Sequence, residues 1–252
     1  MNQLVKMDLI DKNITQEDID NAYKIINFDN YKLDFFADLY SLKSKHTLNE
    51  YSDYMFFYKQ MQKDLSHMPI LFVNMIYYGN KFANIPDKFL EHRYSESSYF
   101  EELYFFYFFK LIDDVINFED KIYIFLNKFF NLNINGKWID HKFKNELVNR
   151  IKNNKTLYSV EEIKLLSNHL SNYKKTMFYK CKNNYRNLHT HSFTTEFPKL
   201  TIIDDEECYF SETHVYNSHD DCLELLKEFK QLVDLLNNAV NSYIKNIVGV
   251  DD

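Results

Sequence analysis

Glycine and proline are scarce in this chain, with only Gly79, Gly136 and Gly249 and Pro69, Pro86 and Pro198 among 252 residues. β-Sandwiches and barrels need many tight turns, so the scarcity disfavours them. It also excludes glycine-rich phosphate loops: neither a P-loop nor a dinucleotide fingerprint can be written here. Cysteine is equally thin. Cys181, Cys208 and Cys222 make no paired framework, in keeping with a reducing compartment. No apolar run reaches the roughly 20 residues a membrane helix needs. The densest, Leu103–Ile112, is interrupted by Lys110 and flanked by Glu101, Glu102, Asp113 and Asp114. Met1–Asp8 has no apolar signal-peptide core. The expectation is a soluble, cytoplasmic protein with no membrane partner.

Aromatic residues are abundant, at 17% of the chain, and are read as a bias that enriches Phe, Tyr, Ile, Asn and Lys together rather than as base-stacking platforms. The net charge of −7 argues against wholesale wrapping of nucleic acid but leaves room for a local basic cleft.

Few breakers and recurrent three- and four-residue apolar steps predict an all-α protein of long helices. Thr15 with Asp18 reads as a capping box opening a helix through about Phe28. Leu33, Phe36, Ala37, Tyr40 and Leu42 recur at roughly helical spacing, and Tyr51–Leu65 is a further helical stretch. Met68–Pro69 and Ile85–Pro86 mark connections, and Gly79–Asn80 a helix end. Tyr99–Lys128 is the longest apolar pattern, with a break expected near Asn117–Asp120. A turn is expected at Asn135–Gly136. His141–Lys155 then forms a basic helix with Phe143, Leu147 and Ile151 inward and its lysines, Lys144 among them, on a solvated face, with an extension of the cationic surface toward RNA as the alternative. Ser159–Glu162 reads as a second capping box, starting a helix with a buried stripe of Leu165, Leu166, His169, Leu170, Tyr173, Met177 and Cys181. His169 on that stripe reads as a core histidine with a backbone partner. Lys199–Ile203 suits a short strand or extended arm, followed by an acidic turn over Asp204–Glu207. The last helix spans about Ser218–Val248. With no Gly/Ser linker present, residues 1–95 are expected as an N-terminal helical extension packed on a bundle over 96–252.

One stretch departs from the acidic average. No carboxylate lies between Glu162 and Glu196, while Lys164, Lys174, Lys175, Lys180, Lys182 and Arg186 do, with His169, His189 and His191. An arginine can hold a phosphate as a fixed cation, and a histidine can pass a proton at neutral pH. Together they suit chemistry on a phosphodiester. In a regular α-helix, residues five apart are about 140° apart around the axis and residues three apart about 60°. A continuing helix therefore pairs Arg186 with His189. An ending or loosened helix pairs it with His191, and Thr194, Thr195 and Pro198 place an end nearby.

Arg186-Asn187-Leu188-His189-Thr190-His191, an Arg-x4-His pattern with a polar residue directly after the arginine, resembles the signature of the HEPN superfamily. The resemblance extends over about Tyr99–Val248. It implies a HEPN-like four-helix up-and-down bundle, here with additional N-terminal helices, and a metal-independent endoribonuclease of phage defence or of a toxin–antitoxin system. It further implies RNA as substrate, no cofactor, a homodimer with a shared cleft and a cognate antitoxin. His191 would be the catalytic histidine, with His189 the second candidate, Arg186 the stabiliser of charge and Asn187 the phosphate positioner. Lys174, Lys175, Lys180 and Lys182 would bind RNA. In the family a polar residue on an earlier core helix faces the motif; Asp114 is the candidate here, with Asp113 and Asn117 beside it. Phe193 stands where some HEPN toxins carry a modified tyrosine, so that regulation is not implied. Many HEPN-like proteins are catalytically inactive, which makes a nucleotide-binding or protein-interaction module the alternative.

A rival site is weak. Cys208, His214, His219 and Cys222 could ligate zinc, but their x5, x4 and x2 gaps do not match zinc-knuckle spacing, and no metal is expected.

Overall fold

The computed structural model describes residues 11–44, 47–83, 96–136, 139–186, 201–203, 206–208 and 212–248. Helix dominates them. The first, α1 (Gln16–Ile25), opens on the expected capping box: the Thr15 hydroxyl accepts from the Asp18 amide, and the Asp18 carboxylate accepts from the Thr15 amide. A 3₁₀ turn at Phe28–Asn30 leads into extended chain. α2 (Phe36–Ser41) and a 3₁₀ turn over Leu42–Ser44 follow. Of the residues expected at helical spacing here, Leu33 and Leu42 are buried, but within α2 the inward phase differs. Phe36 and Tyr40 are 45% and 57% exposed, while Phe35 and Leu39 are fully buried.

Three expected interruptions, at Pro69, Gly79–Asn80 and Asn117–Asp120, are overruled by burial. α3 runs from Leu48 to Ala83 straight through Pro69. Proline in a helix interior costs about 3 kcal/mol, but Met68, Ile70, Phe72 and Val73 are all buried around it. Each such side chain returns about 1.5–3 kcal/mol on burial. Gly79–Asn80 is likewise not an end. Gly79 sits inside α3, where an added Cβ would stand 3.1 Å from Cδ2 of the buried Tyr104. Ile85–Pro86 lies outside the described residues. α4 (Glu96–Phe129) continues through Asn117–Asp120, where Phe118 and Glu119 are both buried.

After α4 the chain turns at Asn131 and Asn133, with φ of 50° and 54°, rather than at Asn135–Gly136. Asparagine tolerates this left-handed region. The Asn127 side chain holds the turn, donating to the Ile134 carbonyl and accepting from the Ile134 amide, both at 3.0 Å. Asp140 caps α5 (His141–Asn153), which buries Phe143, Leu147 and Ile151 as the spacing predicts. The Ser159 capping box does not form. Asn154 caps a short α6 (Lys155–Tyr158), the Ser159 hydroxyl donates to the Thr156 carbonyl, and α7 (Glu161–Ser171) starts without a side-chain cap. Nor does α7 carry on into the motif. It gives way to a 3₁₀ turn (Tyr173–Lys175), α8 (Met177–Cys181) and a π-turn (Lys182–Arg186). Leu165, expected on the buried stripe, is 49% exposed.

Thr201–Ile203 forms the expected strand, β1, paired antiparallel with β2 (Glu206–Cys208), Ile202 opposite Glu207. Glu206 and Glu207 thus belong to a strand rather than to the acidic turn, and Asp204 and Asp205 lie outside the described residues. The last helix, α9, spans Glu212–Val248 and buries Leu226, Phe229, Val233, Leu236, Val240 and Ile244. The described residues are therefore all-α but for one hairpin. Among the described residues, no helix is long and apolar enough to cross a membrane.

The fold divides into two compact units, Met1–Asp29 with Ser66–Val115 and Cys181–Leu226, and Asn30–Leu65 with Ile116–Lys180 and Lys227–Asp252. In the first, Phe28 packs on Phe72 (5.3 Å between ring centres), and Tyr78 stacks on Tyr107 (5.7 Å) and donates its hydroxyl to Asp11. In the second, Phe35, Phe125 and Phe129 form a stack, and Phe118 meets Phe229 edge to face at 5.0 Å. Asn237 on α9 binds the extended segment ahead of α2. Its Nδ2 donates to the Lys32 carbonyl (2.8 Å), and its Oδ1 accepts from the Asp34 amide (3.2 Å).

Candidate functional site

The approach to the motif is built from the break after α7. Asn172 donates its Nδ2 to the Asn168 carbonyl, and the Lys175 and Thr176 amides close the 3₁₀ turn on Asn172 and Tyr173. Thr176 then caps α8, accepting from the Tyr179 amide, while the Glu228 carboxylate accepts from the Met177 amide at 2.6 Å. Burial pushes the Glu228 carboxyl up, and the Met177 amide offsets part of that rise. These contacts lie within the second unit.

Lys174 and Lys175 are exposed on the 3₁₀ turn, and Lys180 is exposed on α8. Lys182, half-buried, starts the π-turn in the first unit. Tyr185, one residue before the motif, is anchored there. Its hydroxyl donates to Asp221 on α9 at 2.8 Å, and its ring meets Phe108 edge-on at 5.0 Å. Burial pushes its phenol pKa well up, as does the Asp221 carboxylate it faces. Arg186 is the final residue of the π-turn. Asn187, His189 and His191 lie outside the described residues. Asp114, in the same unit as Arg186, is half-buried and paired with Lys110 one turn before it at 2.9 Å. Asp113 is half-buried and Asn117 exposed.

A charged cluster that the sequence reading assigned to solvent lies inside the second unit. Lys144, expected on the outer face of α5, is only 2% exposed. Its Nζ donates to Glu119 at 2.6 Å and pairs with Asp120 at 3.0 Å. It also lies over the rings of Tyr123 and Tyr173, 4.6 and 4.0 Å from their centres. A signal for it existed. Lys144 shares a helix face with Val148 and Ile151, and Glu119 interrupts the apolar pattern of α4 between Val115 and Ile122. Two opposite charges on two buried faces call for each other, because an unpaired buried charge is far costlier than a paired one. His169 is half-buried near this cluster, and burial pushes its pKa down.

Of the rival zinc set, Cys222 is fully buried with its Sγ 3.9 Å from Met75 Sδ, and burial holds its thiol far above the ordinary range. That favours a neutral thiol over a metal-binding thiolate. Among the described residues no group of three or more His, Cys, Asp or Glu could hold a metal ion.

The chain matches no family model, no curated protein and no solved structure. The functional reading therefore rests on its own residues.

Proposed function

We propose that the chain is a metal-independent endoribonuclease of HEPN type, acting in phage defence or in a toxin–antitoxin system. Its helices would form a HEPN-like four-helix up-and-down bundle with additional N-terminal helices, and two copies would share one cleft for RNA. The observation that carries this reading is the π-turn at Lys182–Arg186. In α geometry, residues five apart face away from each other. A π-turn pairs residue i with i+5, and such turns are rare and frequent at functional sites. The helix takes up π geometry over Lys182–Arg186, and the arginine that ends it is followed five residues later by a histidine.

In this mechanism His191 takes the proton of a ribose 2′-hydroxyl or supplies one to the leaving 5′-oxygen. Arg186 stabilises the added charge of the phosphorane-like transition state, and Asn187 positions the phosphate. Lys174, Lys175, Lys180 and Lys182 hold the RNA backbone, Asp114 orients the arginine, and His189 stands as the alternative to His191. A cognate antitoxin would cover the cleft. The second reading, a catalytically inactive HEPN-like nucleotide-binding or protein-interaction module, is favoured by the overall charge of −7 and by the Lys110 partner that Asp114 already has.

The test is cleavage of a generic RNA by the wild type, Arg186→Ala, His189→Ala and His191→Ala. Loss of one charge-stabilising contact lowers the rate about 10²–10³-fold. A fall of that size in Arg186→Ala and His191→Ala, with His189→Ala close to wild type, is expected. Equal residual cleavage by all four proteins removes the enzyme, and RNA binding without cleavage by the wild type selects the second reading.

A further inference from the structure

The aromatic side chains that stand exposed among the described residues are Phe36, Tyr40, Phe56, Tyr99, Phe106 and Tyr179. The first five sit beside acids in the chain: Phe36 and Tyr40 flank Asp38, Phe56 lies one turn after Asp53, and Tyr99 and Phe106 bracket Glu101 and Glu102. Tyr179 does not. It is 38% exposed within the window between Glu162 and Glu196 that holds no carboxylate, with exposed Lys174 and Lys175 before it and exposed Lys180 after it. Its ring is also braced. Phe178 beside it is buried and fixes the inward side of α8, and the Tyr179 ring meets the buried Tyr173 ring edge to face at 5.6 Å. The Tyr179 amide donates to Thr176 Oγ1, and Glu228, half-buried, accepts from the Met177 amide. All these residues belong to the second unit. A side chain held in place beforehand loses less freedom when a ligand covers it.

Cations alone attract any polyanion. An exposed aromatic ring among them adds a flat apolar face on which an unpaired base can stack, whatever its identity. A duplex keeps its base faces against one another and offers phosphates and groove edges instead. We propose that Tyr179 is a base-stacking platform and that, with Lys174, Lys175 and Lys180 on the phosphates, it makes this stretch a binding site for single-stranded RNA in preference to duplex. This site rests on the reading of RNA as the substrate and narrows the substrate class to unpaired strands.

The test is fluorescence anisotropy of the full chain with a labelled 2′-O-methyl oligoadenylate, alone and annealed to its 2′-O-methyl oligouridylate complement. A strand without 2′-hydroxyls cannot be cut through that oxygen, so binding is read apart from cleavage. The wild type is expected to bind the single strand more tightly than the duplex. Tyr179→Ala should weaken single-strand binding about 5- to 150-fold and leave duplex binding unchanged. Tyr179→Leu, which keeps apolar bulk against Tyr173 without a π face, should fall with it, and Tyr179→Phe should stay close to wild type. Lys175→Ala should weaken both forms and flatten the single-strand salt dependence, its logarithmic slope losing about 0.7. No single-strand binding by the wild type overturns the proposal, as does equal affinity for the two forms. So does unchanged binding by Tyr179→Ala and Tyr179→Leu with wild-type circular dichroism. Displacement of the strand by polyglutamate as readily as by unlabelled RNA also overturns it, and would mark a general surface for acidic partners. If the expected pattern holds while the wild type leaves ordinary RNA uncut, the nuclease reading fails and the platform stands. If ordinary RNA is cut and Tyr179→Ala binds as the wild type does, the platform fails and the nuclease reading stands.

Discussion

Replacing Lys144 with methionine tests the central electrostatic claim. Methionine keeps most of the lysine stem's volume, so packing against Tyr123 and Tyr173 is largely retained and the charge alone is removed. What is left is Glu119, 2% exposed and deprived of the ammonium that stood 2.6 Å away. Asp120, whose side chain is 20% exposed although its Oδ1 is buried, loses the same ammonium from 3.0 Å. Breaking a buried pair from one side costs about 3–5 kcal/mol, and that is the expected loss for Lys144→Met. Replacing both members with apolar residues of similar size is often neutral, so Lys144→Met with Glu119→Leu should recover most of that loss, the remainder being the share of Asp120. Urea unfolding followed by far-ultraviolet circular dichroism measures all three proteins. A single variant within about 1 kcal/mol of wild type would refute the reasoning, as would a double variant no more stable than the single.

Gly79→Ala should destabilise by about 1 kcal/mol, although alanine favours helix by a similar amount, because the new Cβ meets the buried Tyr104 ring at 3.1 Å; thermal unfolding reads the sign. Asn237→Leu removes both hydrogen bonds to the Lys32–Asp34 segment and should cost about 2 kcal/mol, with faster hydrogen exchange at the Asp34 amide. His169 has a folded pKa depressed by burial, so the unfolded chain binds its proton more readily. Its contribution to stability is therefore intact above its unfolded value near 6.5 and is lost as the pH falls through that value toward the folded one. His219 acts in the same sense, with Asp220 opposing it in part, whereas the raised carboxyls of Glu101 and Glu228 act in the opposite one. The difference between wild type and His169→Gln in urea midpoints from pH 8 to pH 5 isolates the His169 part. It should narrow on acidification, and a constant difference would contradict the assignment.

What was legible in the sequence was local. Thr15 and Asp18 cap a helix with their own side chains, and Phe143, Leu147 and Ile151 line one face, so nothing distant has to be known. Pro69, Gly79 and Ser159 misled for the opposite reason: each carries a local signal that packing elsewhere outweighs or displaces. The interior of α3 is held through Pro69 by the buried side chains around it, and Asn154 takes the capping role one short helix earlier than Ser159. Lys144 misled because a lysine on an amphipathic helix is nearly always in water. Only the acid at Glu119, 25 positions earlier, explains its burial. Of the candidate site, the run of lysines was legible, but the end of regular α-helix before the motif was not: the expected helix ran on toward Thr194 and Pro198. The Tyr185–Asp221 anchor depends on α9, 36 positions further along the chain, and could not be read locally either.

The partition of the chain bears on how it can be dissected. The boundary between the units falls at Asp29–Asn30 and inside α3, α4, α8 and α9, at Leu65–Ser66, Val115–Ile116, Lys180–Cys181 and Leu226–Lys227, so four helices supply residues to both. A fragment beginning at residue 96 would forfeit Phe72 and Tyr78 from one unit and Phe35 and Tyr54 from the other. Neither half would keep its aromatic heart. Work on the arginine–histidine segment calls for the uncut polypeptide.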